Sequence, residues 1–384
     1  MPFSRLQLEL DERAANGLLR KRHTLTGPQG AHVEVDGKRY ISFSSNDYLG
    51  LANHPRVAAA LKSGADIYGA GAGAAHLVTG HSLAHERLEE ELAAFVGKPS
   101  ALLFSTGFMA NIGAVQALVG RGDTVYADRL NHASLNDAML LSRATVRRYR
   151  HSDLGQLARM LGETTDGQRL VMTDAVFSMD GDRAPLPALL ELCEKHDAWL
   201  LIDDAHGFGV SGERGRGSMS HFGIDHPRII YMATLGKAAG VFGAFVAAEK
   251  VVIEALINNA RGYIYTTATP PALSVALLES LVLIDEADES RAHLKALTKR
   301  LKQSLEGLKW RLMDSDTPIQ PLLIGGNQET MDVSMGLRER GIWVAAIRPP
   351  TVPDGTARLR IALSAAHDFS DIEKLAKALH ELAR

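Results

Sequence analysis

Apolar residues recur along this chain with two different periods, and the alternation between those periods predicts its architecture. Short apolar runs at 101–105, 124–127, 145–149, 170–174, 199–203, 229–233 and 242–247 are separated by stretches with helical spacing. Seven such runs with helices between them predict an α/β layer fold with a mostly parallel seven-stranded sheet. Ahead of them, residues 6–21 have the pattern of an amphipathic helix, and 33–41 that of a hairpin turning at Asp36-Gly37. After them comes one long helical stretch at 271–305, then strand-like runs at 319–324, 342–346 and 358–363 and a closing helix at 371–382. The expected division is an N-terminal helix and hairpin segment (1–45), a large domain (46–285) and a smaller C-terminal α/β domain (286–384).

Composition narrows the classes. A chain of 384 residues, 46% hydrophobic and 23% charged, can bury a sizeable core. Its formal net charge of -3 gives no electrostatic footprint for nucleic acid or an anionic membrane. No apolar stretch approaches the ~20 residues that span a bilayer. The single cysteine, Cys193, excludes an intramolecular disulfide and reads as a small core residue. The first residues mix Glu9, Asp11 and Glu12 with Arg13, Arg20, Lys21 and Arg22 and show no secretory leader, so a cytoplasmic location is expected.

The candidate chemistry centres on Lys237, which follows an apolar run and has Gly236 before it and Gly240 after it. Burial disfavours an ammonium, so a lysine in a tight, partly dry place becomes an amine able to form an imine with an aldehyde. A surface lysine is the plainer reading. A Walker-type phosphate loop would need Gly at 231 and Ser or Thr at 238, where the chain has Tyr231 and Ala238. The Gly-rich stretch at 69–76 fails the dinucleotide fingerprint, since Ala74 or His76 stands where the third Gly belongs and no strand precedes it.

Parallel sheets bind ligands beyond the carboxyl ends of their strands, and the loops there hold the polar residues. Thr106-Gly107-Phe108 should open a helix near Phe108, whose free N–H groups suit a phosphate. His132 and Ser178 each follow a strand; the bland readings are a solvated or capping histidine and a turn. Asp180-Gly181-Asp182 lacks the spacing of a calcium loop. Asp203-Asp204-Ala205-His206 delivers a carboxylate and an imidazole to the ligand side, and no second His or Cys stands near to complete a metal set. These pieces fit pyridoxal phosphate: an aldehyde for Lys237, a phosphate for the helix start and Thr234, a ring nitrogen for Asp203 and a phenolic oxygen for His206.

Ser44-Ser45-Asn46-Asp47-Tyr48-Leu49-Gly50, Asp203-Asp204-Ala205-His206-Gly207, Thr234-Leu235-Gly236-Lys237 and Arg358-Leu359-Arg360, in that order over nearly the whole chain, resemble the α-oxoamine synthases. These are a branch of the fold-type I pyridoxal-phosphate transferases. Ile347-Arg348-Pro349-Pro350-Thr351-Val352-Pro353 is similar to the biotin-pathway member of that branch, whereas relatives making aminolevulinate, sphingoid bases or 2-amino-3-oxobutyrate tend to lack this pattern. The resemblance implies that Lys237 carries the cofactor, Asp203 pairs with its ring nitrogen, His206 and Ser178 meet the ring-oxygen side and Thr234 lies near the phosphate. It further implies backbone contacts from Gly107 and Phe108, His132 stacked on the ring, and substrate contacts from Arg20, Asn46, Arg348, Thr351 and Arg360. L-alanine and a pimeloyl thioester, on a carrier protein or coenzyme A, are the implied substrates, condensed with loss of carbon dioxide and the thiol. A homodimer is implied, with Thr266 and Thr267 reaching the phosphate bound to the partner subunit. Ala75 departs from the serine common in relatives, so a hydroxyl contact is lost there. A sister synthase using glycine and acetyl coenzyme A, or a binding module without catalysis, are the alternatives.

Overall fold

The computed structural model describes residues 2–163 and 166–384. The chain divides into two compact units. The larger comprises Asp47–Ser178 and Asp182–Arg291; the smaller comprises Met1–Asn46, Met179–Gly181 and Ala292–Arg384.

Seven strands form the sheet of the larger unit: β1 (Ser100–Phe104), β2 (Thr124–Asp128), β3 (Thr145–Tyr149), β4 (Arg169–Asp174), β5 (Ala198–Asp203), β6 (Ile229–Thr234) and β7 (Ala244–Ala248). Their order is β1-β7-β6-β5-β4-β2-β3. Every pairing is parallel except those of β7, which runs antiparallel to both β1 and β6. The apolar runs become strands because helices cover the sheet: all five residues of β2 and all five of β7 are buried. Two carboxylates end adjacent strands in register, Asp174 of β4 opposite Asp203 of β5. Burial of this kind is affordable only with hydrogen bonds, and it marks the end of the sheet where chemistry can be sited.

The helical pattern at 271–305 is broken into Pro271–Glu286 and Asp288–Ser304. At the break the Ile284 carbonyl accepts from the Ala287 N–H (3.2 Å) and from Arg291 Nη1 (2.7 Å), so the end of the first helix is tied to the second. Asp288 and Glu289 then suit the start of the second helix. The N-terminal helix covers Ser4–Ala15 and buries none of its residues, so it ends before the apolar spacing does.

In the smaller unit the hairpin joins His32–Val35 to Lys38–Ser42, with Asp36 and Gly37 both at positive φ (50° and 76°), as a tight two-residue turn requires. The hairpin does not stand apart from the C-terminal part of the chain: Ile342–Trp343 adds to it as a third, parallel strand. The run at 342–346 is therefore not one strand. Val344 separates Ile342–Trp343 from Ala345–Ile347, which pairs instead with Ala357–Ala362 in a second, four-stranded sheet. Among the described residues no helix is long and apolar enough to cross a membrane.

His151, in the larger unit, shows how the sheet's carboxyl end is held by charge. Its Nδ1 lies 3.2 Å from both oxygens of Asp128 and its Nε2 2.7 Å from Asp182 Oδ2. Burial alone would lower its pKa, but hydrogen bonds to the two carboxylates outweigh that and push it up to about 10. A group raised above its unfolded value of ~6.5 stabilises the fold fully below that value and loses the contribution as pH climbs to about 10. His151→Gln should therefore lower stability by about 1.5–3 kcal/mol at pH 6 and by much less at pH 10. Denaturant melts of variant and parent at the two pH values check this; a deficit that does not shrink contradicts it.

Candidate active site

The loop after β5 is shaped by Asp204 rather than by the residues that face outward from it. Asp204 is buried and accepts from Ser218 N–H (2.6 Å), Ser218 Oγ (2.6 Å) and Tyr231 Oη (2.9 Å). Burial still pushes its pKa up to about 6, the hydrogen bonds pulling the other way. A Cβ on Gly207 would stand 2.0 Å from Asp204 Oδ1, so only glycine lets the chain turn over that carboxylate. The turn leaves Asp203 and His206 for other work.

Lys237, half-buried in the loop after β6, puts its Nζ 2.9 Å from His206 Nε2, and His206 Nδ1 lies 2.7 Å from Tyr48 Oη. An ammonium only donates, so with Lys237 charged the imidazole carries its hydrogen on Nδ1 and donates it to Tyr48. Asp203 is buried; its Oδ1 accepts from Ala205 N–H (3.0 Å) and its Oδ2 from Asn111 Nδ2 (2.7 Å). His132 caps the helix Ala133–Ser142, and its N–H donates to Asp174 Oδ2 at 2.7 Å. Burial lowers the His132 pKa, opposed by the charge of Asp203 and helped by that of Lys237, so the ring is neutral near pH 7. Asp174 moves well above the usual carboxylate range, through burial and then the nearby charge of Asp203.

The helix Gly107–Leu118 begins one residue before the position its sequence suggests, capped by Thr106 Oγ1 accepting from Met109 N–H (3.1 Å). Its first N–H groups, at Gly107 and Phe108, have no partner within the helix. A Cβ on Gly107 would lie 3.8 Å from Thr234 Cβ, so these donors and Thr234 share one corner. Thr234 Oγ1 donates to the Gly243 carbonyl (3.0 Å). The Phe108 side chain is exposed, which leaves its backbone as the useful part. Ser178 is half-buried, four residues past the end of β4. The donor set fits pyridoxal 5'-phosphate: an amine for the aldehyde, a carboxylate for the ring nitrogen, imidazoles beside both, and unspent N–H groups for the phosphate.

Of the remaining expected residues, the smaller unit holds Arg20, Asn46, Arg348, Thr351 and Arg360. Arg360 is buried and its Nη1 donates to Asn46 Oδ1 (3.1 Å). Arg348 Nη1 donates to the Gly17 carbonyl and the Arg348 carbonyl accepts from Thr351 N–H. Arg20 and Thr351 are exposed. In the larger unit Thr266 is half-buried, and Thr267 is exposed and bridges Ala75. Three further histidines, His76, His81 and His85, come together there. His85 has both nitrogens committed, Nδ1 accepting from Ser82 N–H and Nε2 donating to the Thr269 carbonyl, so it serves as a helix cap.

Sequence reasoning gave no role to Tyr48, Asn111 or Ser134. Asn111 carried a signal: it falls on the buried stripe of its helix, with Ala110, Ala114 and Val115, where an amide needs a reason to be.

The aminotransferase class I and II family model matches residues 38–379. The chain is 62% identical to the 8-amino-7-oxononanoate synthase of Nitrosospira multiformis, covering 98% of this chain and 95% of that one. It is 60% identical to the enzyme of that name from Nitrosomonas europaea, covering 98% of each. Among solved structures, it is similar to Sphingomonas wittichii serine palmitoyltransferase (TM-score 0.93, 29% identity, 99% and 97% covered). A structure of SPT with a PLP internal aldimine is similar at TM-score 0.93 and 28% identity, with 99% and 97% covered. It is also similar to 8-amino-7-oxononanoate synthase from Francisella tularensis (TM-score 0.79, 31% identity, 89% and 97% covered). The higher TM-scores report backbone course and the higher identities report side chains, and specificity resides in side chains. The chain is a pyridoxal-phosphate-dependent enzyme that belongs to the aminotransferase class I and II family and, within it, to the 8-amino-7-oxononanoate synthases.

Proposed function

We propose that the protein condenses L-alanine with a pimeloyl thioester, releasing carbon dioxide and the thiol carrier and forming 8-amino-7-oxononanoate. Identity of 62% over the chain to a relative of that name carries the reading, and the Lys237–His206–Tyr48 chain of contacts supports it. Pyridoxal phosphate, when bound, supplies an aldehyde that holds the amino acid and a protonated ring that withdraws electrons from its α-carbon.

The chain's own residues supply the rest. Asp203 holds the proton on the ring nitrogen, its oxygens fixed by Asn111 and the Ala205 N–H. The free amine of Lys237 would take the α-proton and later return it; His206 Nε2, 2.9 Å away, orients that amine and is itself held by Tyr48. His132, neutral because burial lowers its pKa, donates a hydrogen bond to the thioester carbonyl as negative charge grows there. Arg360 receives the alanine carboxylate with its planar fork, which Asn46 holds in place. Ser178 contacts the ring-oxygen side, and the Gly107 and Phe108 N–H groups and Thr234 take the phosphate. Arg20, Arg348 and Thr351 contact the acyl donor. The working form is a homodimer in which Thr266 and Thr267 reach the phosphate held by the partner subunit.

Two outcomes follow. Mass analysis of a reaction with alanine and pimeloyl thioester should show 8-amino-7-oxononanoate, and Lys237→Ala should cut its formation ~10²- to 10⁴-fold or more while the variant still folds. Faster thiol release from glycine and acetyl coenzyme A would instead favour a sister activity. Arg360→Lys should raise KM for alanine about 10- to 150-fold, the loss of a charged bidentate contact of about 1.5–3 kcal/mol, and change kcat less. An unaltered KM would remove Arg360 from the carboxylate.

A further inference from the structure

Asp203 and His132 come from different loops, yet one side chain joins them. Asn111 Nδ2 has two hydrogens; it lies 2.7 Å from Asp203 Oδ2 and 2.8 Å from Ser134 Oγ. The carboxylate fixes which way the amide faces, because the flipped amide would set its oxygen against another oxygen. Ser134 Oγ, which accepts from Asn111, lies 2.8 Å from His132 Nδ1, and it donates its hydrogen there because that nitrogen already accepts from a backbone N–H. The Ser134 backbone N–H donates to the same nitrogen at 3.3 Å. A nitrogen that accepts twice carries no hydrogen, so neutral His132 holds its hydrogen on Nε2.

The amide is also placed at a cost. Asn111 Oδ1 is buried with no hydrogen-bond partner among the described residues. An orphaned amide oxygen destabilises a fold, and the alanines on either side of the stripe, Ala110 and Ala114, would avoid that cost. What the amide provides is the donor pair.

We propose that Asn111 is a positioning residue: it orients the Asp203 carboxylate toward the cofactor nitrogen and, through Ser134, fixes His132 as a donor from Nε2. The proposal rests on the reading of Asp203 as partner of the ring nitrogen. A packing role and a donor role give opposite orders for two variants. Asn111→Asp keeps the volume but sets a second carboxylate against Asp203, so that one of the two must take up a proton. Asn111→Ala loses the volume but adds no charge.

The test is cofactor release from each holoenzyme on dilution at pH 7.5, read by visible absorbance, with thermal melts of the same samples. N111D should release pyridoxal phosphate at least tenfold faster than the parent and faster than N111A. N111D within twofold of the parent, or N111A the faster of the two, overturns the donor role. Should both variants fail to fold, Ser134→Ala carries the test: release within twofold of the parent and kcat several-fold lower are expected, and an unchanged kcat overturns the link to His132. Asp203→Asn is run alongside. If D203N retains the cofactor as the parent does, the reading of Asp203 fails, and that failure is separate from the order of the two Asn111 variants.

Discussion

A carboxylate that must be buried and yet kept in one orientation sets the terms for the larger unit. Removing Asp203 from water is costly unless its oxygens find donors, and both do: the Ala205 N–H on one side and Asn111 on the other. Those donors exist only because the β5 strand ends where it does, with the turn over Asp204 directly after it and the helix Gly107–Leu118 beside it. Asp204 stabilises the turn, and Asp203, the last residue of β5, is the carboxylate to which the proposed function gives the cofactor nitrogen. Two adjacent aspartates thus have separate partners, one held by Ser218 and Tyr231 and the other by Asn111 and the Ala205 N–H.

The same economy governs the proton positions. Lys237, His206 and Tyr48 form one line of contacts and His132, Ser134, Asn111 and Asp203 another. In each line a neighbour that can only donate decides where an imidazole keeps its hydrogen: Lys237 when it is charged, and the Ser134 backbone N–H beside His132. The rate of a proton transfer and the strength of an oxyanion contact depend on that placement more than on net charge.

Much of this was legible beforehand. The seven apolar runs became the seven strands, since buried parallel strands leave continuous apolar sequence; Asp203 and Thr234 end two of them, and His206 and Lys237 lie in the loops that follow. What escaped was pairing and partnership. Nothing in the periodicity of 242–247 says that β7 runs antiparallel, and nothing in 33–41 says that Ile342–Trp343 will pair with it some 300 residues later. At the helix break Ala287 caps the Ile284 carbonyl and Arg291 reaches back to the same atom, contacts that apolar spacing does not encode. Tyr48 sat inside a recognised motif, but its contact with His206 spans 158 residues and had no sequence signature.

The central claim is that the amine of Lys237 is the one that carries pyridoxal phosphate. Borohydride reduction of the purified holoenzyme followed by peptide mass mapping tests it directly. The expected result is a single phosphopyridoxyl mass on the peptide containing Lys237; the same mass on another lysine, or on none, would contradict the account.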